Sequence, residues 1–387
     1  MKNKRLTAIL LALAIILSLF PMNVYASNDE FNTADALTVL RASAGLIKLT
    51  TAQEEKYDLN GDFIVNTADA VIILRIAAGL PGTPDVMPLM WLVTAPSGQT
   101  MYLFGSIHIG DETIYPLPAT IMNAFKACDY LAVEFDLLAQ GEEDFGEYTE
   151  VEMEAYWRSV MYPEGENIED HIDRGILNAA RRAIRTSGFN LQFPITYLDW
   201  FKPHMWYGLI LEITLWKSGL SHEHGLDIFF LEEAYKRGMG ILEIESAESQ
   251  SAMMINYSNE VYSMLIESST DINGAAQGIN YSFNLWKKGN ERVLTNYLRP
   301  SINDFISENK EFWDDDDFWA YVDLLEEYNY AMLIRRDIQM AEVAKQYMKE
   351  GKMVFFVVGL AHLLGEDSVI DLLRKSNYTV ERVVIPF

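Results

Sequence analysis

The 387-residue chain is poor in cysteine, histidine and basic side chains, and each shortage excludes something. One cysteine, Cys128, means that no disulfide can close within the chain. It lies in "IMNAFKACDYLAVEF" and reads as a small buried apolar residue, not as a nucleophile. Lysine and arginine number 30 against 56 aspartates and glutamates, a net charge of -26. Such a surface repels nucleic acid and anionic lipid, so neither is expected as a partner. The acidic run "EFWDDDDFW" (311–319) reads as solvated surface. Beyond residue 20 no apolar stretch approaches membrane-spanning length.

The one apolar stretch at the start, residues 6–20, follows Lys2, Lys4 and Arg5 and precedes a Val-x-Ala site at 24–26. That is the pattern of a secretory signal peptide over residues 1–26, with an uncleaved anchor as the alternative. Cleavage removes three basic and no acidic side chains, taking the charge from -26 to -29. The expected mature protein is soluble, extracellular and free of the membrane.

Histidine is scarce, with six in the chain, yet two share one setting. "MYLFGSIHIG" places Gly105 three residues before His108, and "MVFFVVGLAHLLGED" places Gly359 three residues before His362. Each histidine ends an apolar run, and the two runs lie about 250 residues apart. The glycines would let the backbone bend tightly there.

Residues 27–80 read as a separate module because they repeat. "NTADALTVLRASAGL" (32–46) returns as "NTADAVIILRIAAGL" (66–80). "DLNGDFIV" precedes the second copy, so Asp58, Asn60, Asp62, Asn66 and Asp69, with the Ile64 carbonyl, can surround one Ca2+ in EF-hand fashion. A calcium loop plus helix in tandem resembles the type I dockerin of cellulosome enzymes. That resemblance implies a small all-α module that plugs a secreted protein into a cohesin on a scaffold protein. It departs from the pattern in the first half, where only Asn28, Asn32 and Asp35 match Asp62, Asn66 and Asp69.

"PGTPDVMP" (81–88) is a Pro/Gly break, and residues 89–387 form the larger domain. Short apolar runs alternate there with long amphipathic stretches, which predicts an α/β fold with a central, mostly parallel sheet. Helical character over 171–219 and 251–349 predicts a large helical insertion. The runs end on His108, Glu134 ("YLAVEF"), Glu245 ("GILEIES") and His362. In a parallel sheet the carboxyl ends of strands share one edge, where ligand crevices form. Two imidazoles and two carboxylates converging there suit a divalent transition metal, with Mn, Co and Zn all open.

"GSIHIGDETIYPLPATIMNAFKACDYLAVEFDL", "GLDIFFLEEAYKRGMGILEIESAESQ", "RRDIQMA" and "VVGLAHLLGEDSVIDLLRKSNYTVERV" together resemble the TraB/GumN family, whose animal relatives are the Tiki metalloproteases. The resemblance implies two related halves around a central sheet and a metal-dependent peptidase chemistry. It places His108 and His362 as the motif histidines, Glu134 after the first helix, and Glu245 with Gln250 in one block. Asp227 falls in a Gly-x-Asp helix start, and Arg336 in an Arg-Asn-x-x-Met block whose asparagine is here Asp337. His108, His362 and Glu134 would hold the metal, and Glu134 or Glu245 would move the proton. Arg336 would stabilise an oxyanion, or else pair with surface acids. His222 and His224 of "SHEHGLD" precede that helix, with Asp227 expected as its N-cap, and are not taken as ligands.

Three readings of function remain open. The first is a secreted, scaffold-attached metal-dependent hydrolase acting on peptides or proteins. The second is a carbohydrate-active enzyme or an accessory protein of polysaccharide degradation. The third is a non-catalytic binding module.

Overall fold

The computed structural model describes residues 31–61, 63–78, 86–140, 149–312 and 315–385. The expected signal peptide, Asn28, Asp62 and most of the expected linker lie outside them.

Among the described residues six strands form one sheet: β1 (Met90–Thr94), β2 (Thr100–Ser106), β3 (Tyr130–Val133), β4 (Gly240–Glu243), β5 (Val354–Gly359) and β6 (Thr379–Arg382). Their order is β4-β3-β5-β2-β1-β6. The first four in that order run parallel, and β1 pairs antiparallel with β2 and with β6. The fold is therefore α/β around a mostly parallel sheet, as the alternating pattern predicts. All six residues of β5 are buried, which is why it reads as an unbroken apolar run instead of an alternation.

Phe104 on β2 and Phe355 on β5 meet Phe125 and Phe230 with ring centroids 5.0–5.6 Å apart. These rings fasten the helices Ala119–Lys126 and Leu226–Arg237 to the sheet. Each buried aromatic of this kind is worth about 1.5–3 kcal/mol over its exposed state. The helix Arg335–Lys349 buries Met340, Ala344 and Met348 at four-residue spacing. Continued one turn back, the same stripe reaches Arg336, which explains how a cation comes to be buried among sheet-facing residues.

The helical insertion comes in two blocks, one between β3 and β4 and one between β4 and β5. Trp286 from the second block is buried and donates its indole N–H to the Gly105 carbonyl at 3.0 Å, tying that block to β2.

The repeat forms matching helices, Thr33–Ser43 and Thr67–Ala77. Each starts with a capping box, Asn32 with Asp35 and Asn66 with Asp69. Ala36, Val39, Tyr57, Ala70 and Ile73 make a small core of their own. The loop before the second helix lies against the large domain. Arg292 pairs with Asp58 at 3.1 Å, and a Cβ on Gly61, at φ 64°, would strike Asn290. Val86 and Met87 are buried, and the Met87 N–H reaches the Lys287 carbonyl, so this end of the Pro/Gly break is packed.

Candidate active site

The four parallel strands each deliver one predicted residue to the same edge of the sheet. In spatial order they are Glu245 after β4, Glu134 after β3, His362 after β5 and His108 after β2. Ser106 lies opposite Gly359 in the β2–β5 pairing, so the two Gly-x-x-His segments leave neighbouring strands side by side. The Glu245 N–H donates to the Glu134 carbonyl at 2.8 Å, extending the β3–β4 pairing to both glutamates.

The glycines of these segments serve differently from the tight bend expected, for neither Gly105 nor Gly359 has a positive φ. A Cβ on Gly105 would come within 2.3 Å of the Leu360 side chain, so the requirement is space between the two segments. The Gly359 N–H donates to Glu134 Oε1 at 2.8 Å.

Arg336 stands at the centre, 3 % exposed. Its Nη2 donates to Glu134 Oε2 at 2.5 Å and to Glu245 Oε2 at 2.7 Å, and its Nε donates to Glu245 Oε1 at 3.0 Å. Of the two roles open to Arg336, pairing with surface acids does not occur. Gln250 bridges the same glutamates, donating at 3.0 and 2.9 Å, while its Oε1 is buried without a partner. A π-helical turn, Tyr330–Ile334, immediately precedes the Arg336 helix. Such turns recur at functional sites because they misalign the backbone ladder.

Each histidine has its Nδ1 on an aspartate from the first turn of a helix. His108 meets Asp227 at 2.7 Å, and His362 meets Asp337 at 2.6 Å. A carboxylate on Nδ1 fixes the ring so that Nε2 faces the site, the usual support of a metal-ligating histidine. Asp227 is not the N-cap that was expected. Gly225 holds that position because a Cβ there would sit 2.4 Å from the His108 carbonyl, and Asp227 is engaged by Ser106 and His108 instead. His222 lines the same turn, its Nδ1 3.0 Å from the His108 carbonyl oxygen, so it buttresses the site.

Burial opposes ionisation of Glu134, but Arg336 and then His108 outweigh it and lower its pKa to about 2. That favours its anionic form, which suits holding a cation better than shuttling protons. For His108, burial opposes the charged ring, yet Asp227 and Glu134 raise its pKa to about 9.

Among the described residues no group of three His, Cys, Asp or Glu side chains is arranged to hold a metal ion. Two of the three expected ligands nevertheless fit one. His108 Nε2 is buried without a partner and lies 3.9 Å from Glu134 Oε1, within the roughly 4.2 Å that two ligands of one zinc-like ion can span. His362 does not fit as it stands, since Arg336 Nη1 donates to its Nε2 at 3.1 Å. That ligand becomes available only when Arg336 turns away.

Asp227, Gln250 and Arg336, placed by resemblance, thus all touch the cluster. Arg299 was not anticipated. It donates to Asp337 from "YLRPS", where no pattern marks it.

An α/β domain carrying a buried histidine–glutamate–arginine centre at the carboxyl edge of its sheet defines the class. The chain belongs to the TraB/PrgY/gumN family, whose pattern matches residues 89–382. It is 24% identical over 287 residues to "Uncharacterized protein YbaP" of Escherichia coli K12, spanning 73% of this chain and 90% of that protein. It is 22% identical to "Metalloprotease TIKI2" of Danio rerio over 77% of this chain and 61% of the relative. The TIKI2 protein of Xenopus tropicalis is also 22% identical, over 72% of this chain and 57% of the relative. The chain thus spans only about three fifths of each TIKI2 protein. No solved structure matches the chain significantly.

Proposed function

We propose that the large domain is a metal-dependent hydrolase, most simply a peptidase. The observation that carries this reading is the pair of histidines on adjacent parallel strands, each held at Nδ1 by an aspartate, beside Glu134, whose anionic form is favoured. His108, Glu134 and, with Arg336 displaced, His362 would hold a divalent transition ion. Such an ion, when bound, polarises a carbonyl and lowers the pKa of coordinated water. Glu245 touches neither histidine and takes the proton from water and passes it to the leaving amine. Arg336, freed from His362, directs its guanidinium at the developing oxyanion. Gln250 Oε1 accepts from the substrate amide or the water. The distant likeness to two proteins named metalloproteases supports peptides as the substrate class.

The direct test incubates the purified protein with a peptide library and a panel of plant polysaccharides, each with and without chelator. Chelator-sensitive peptide cleavage, lost in Glu245→Gln, is expected. Sugar release that survives chelation would favour the carbohydrate reading, and silence on both panels the binding module.

We infer also that the repeat module is a dockerin-like anchor of a secreted protein, docking a cohesin at the cell surface or on a cellulosome. Exposed Leu37 and Leu40 in one copy recur as exposed Val71 and Leu74 in the other, which supports a docking face shared by both helices. For Ca2+ the residue types fit but their present engagements do not. Asp69 accepts from the Leu59, Asn60 and Asn66 amides, Asp58 pairs with Arg292, and the Asn66 amide donates to the Ile64 carbonyl. Calcium would have to displace these bonds. Calorimetry on Asp58→Ala tests this, with loss of most of the calcium response expected.

A further inference from the structure

The two Nδ1-holding aspartates differ in what balances their charge. Asp227 accepts from the Ser106 hydroxyl at 3.0 Å and meets His108 Nδ1 at 2.7 Å. Asp337 is fully buried, and its partner His362 must be neutral at Nε2, because a guanidinium can only donate to it. The charge of Asp337 is met by Arg299, whose Nη1 lies 2.5 Å from Oδ2. The same guanidinium donates to the Ala361 carbonyl at 3.3 Å and the Glu366 carbonyl at 2.9 Å. Those carbonyls flank His362 on the segment after β5, whereas Asp337 sits on the helix Arg335–Lys349.

We propose that Arg299 is a positioning residue for His362, acting through Asp337. Its fork spans the helix that carries the aspartate and the segment that carries the histidine. By holding one carboxylate oxygen it leaves the other in place for Nδ1–H, which fixes the ring as the Nδ1–H tautomer with its Nε2 lone pair toward the reaction centre. A lysine could supply the charge but not the three directed bonds. The importance of that orientation for chemistry rests on the metal-dependent reading above; the orientation itself does not.

The test uses the full chain and two readouts. Imidazole nitrogen–proton correlation spectra of the metal-free protein should place His362 in a single neutral Nδ1–H state. Arg299→Gln should shift and broaden the His362 Nδ1–H signal, because Asp337 loses the contact that orients it, while leaving the His108–Asp227 signals unchanged as an internal control. Arg299→Lys should fall between them. The double variant Arg299→Gln, Asp337→Asn removes both charges and keeps an acceptor for Nδ1–H, so it should recover one sharp Nδ1–H signal. Titration with Co2+ alone should then find affinity lowered about tenfold in Arg299→Gln. An unchanged His362 spectrum in folded Arg299→Gln would overturn the proposal. If that variant does not fold, the double variant decides: one sharp Nδ1–H signal supports the proposal and a broadened one defeats it. Absence of Co2+ binding in the unaltered protein would count against the metal reading alone, since the tautomer result stands without it.

Discussion

The two histidine-bearing strand ends look like copies and behave differently. Each has a Gly-x-x-His segment on a central parallel strand and an aspartate on Nδ1. At the β2 end, His108 keeps a small exposed fraction, an unpartnered Nε2 and Glu134 nearby. At the β5 end, His362 is fully buried between Arg336 and Asp337, with Arg299 behind. One imidazole is bonded on one side only, whereas the other is bonded at both ring nitrogens. The difference teaches that a duplicated motif can give one half to recognition and the other to holding the site's charges in place. It also names Arg336 as the group that must move if both halves are to serve one ion.

The most damaging way to break this comparison is to remove the shared cation. Arg336→Ala leaves Glu245 buried without its guanidinium and Glu134 with only His108 nearby, and should cost about 3–5 kcal/mol in denaturant unfolding. Next, His362→Ala should destabilise by on the order of 2 kcal/mol, because it opens a fully buried gap and strands Asp337. His108→Ala should cost less, since its Nε2 has no partner to lose and Asp227 keeps the Ser106 hydroxyl. Equal costs would mean that the two ends are energetically alike.

A subtler effect is the pH dependence of the metal-free protein. The pKa of His108 is raised from 6.5 to about 9, so its contribution is complete below 6.5 and is lost as pH rises through 9. The pKa of Glu134 is lowered from 4.5 to about 2, so its contribution holds above 4.5 and is lost as pH falls toward 2. Melting temperature against pH should show both limbs, and His108→Gln should flatten only the alkaline one. The smallest expected effect is that of Gln250→Leu, at about 1 kcal/mol, because Arg336 continues to bridge both glutamates.

Much of this was legible before the structure. The runs ending on His108, Glu134, Glu245 and His362 mark strands because a buried parallel sheet needs unbroken apolar segments. Their convergence follows from the shared carboxyl edge. Residue resemblance brought in Asp227, Gln250 and Arg336, all of which reach the cluster. What escaped was connectivity between elements. Nothing in "YLRPS" marks Arg299, since its partners lie on two other segments brought near only by the fold. The N-cap expected at Asp227 failed for a related reason. Local pattern favours an aspartate at a helix start, but the close approach of the His108 carbonyl demands a glycine there and frees the carboxylate for the histidine.

The central claim is that these two strand ends form one metal centre, and ion binding tests it most directly. Co2+ titrated into the full chain, followed by its visible absorption, should give one tetrahedral-type site per chain, abolished in His108→Ala and weakened in His362→Ala. It should also tighten as pH rises toward 9, because the ion must displace the His108 proton. A spectrum unchanged in the His108→Ala, His362→Ala double variant would contradict the account.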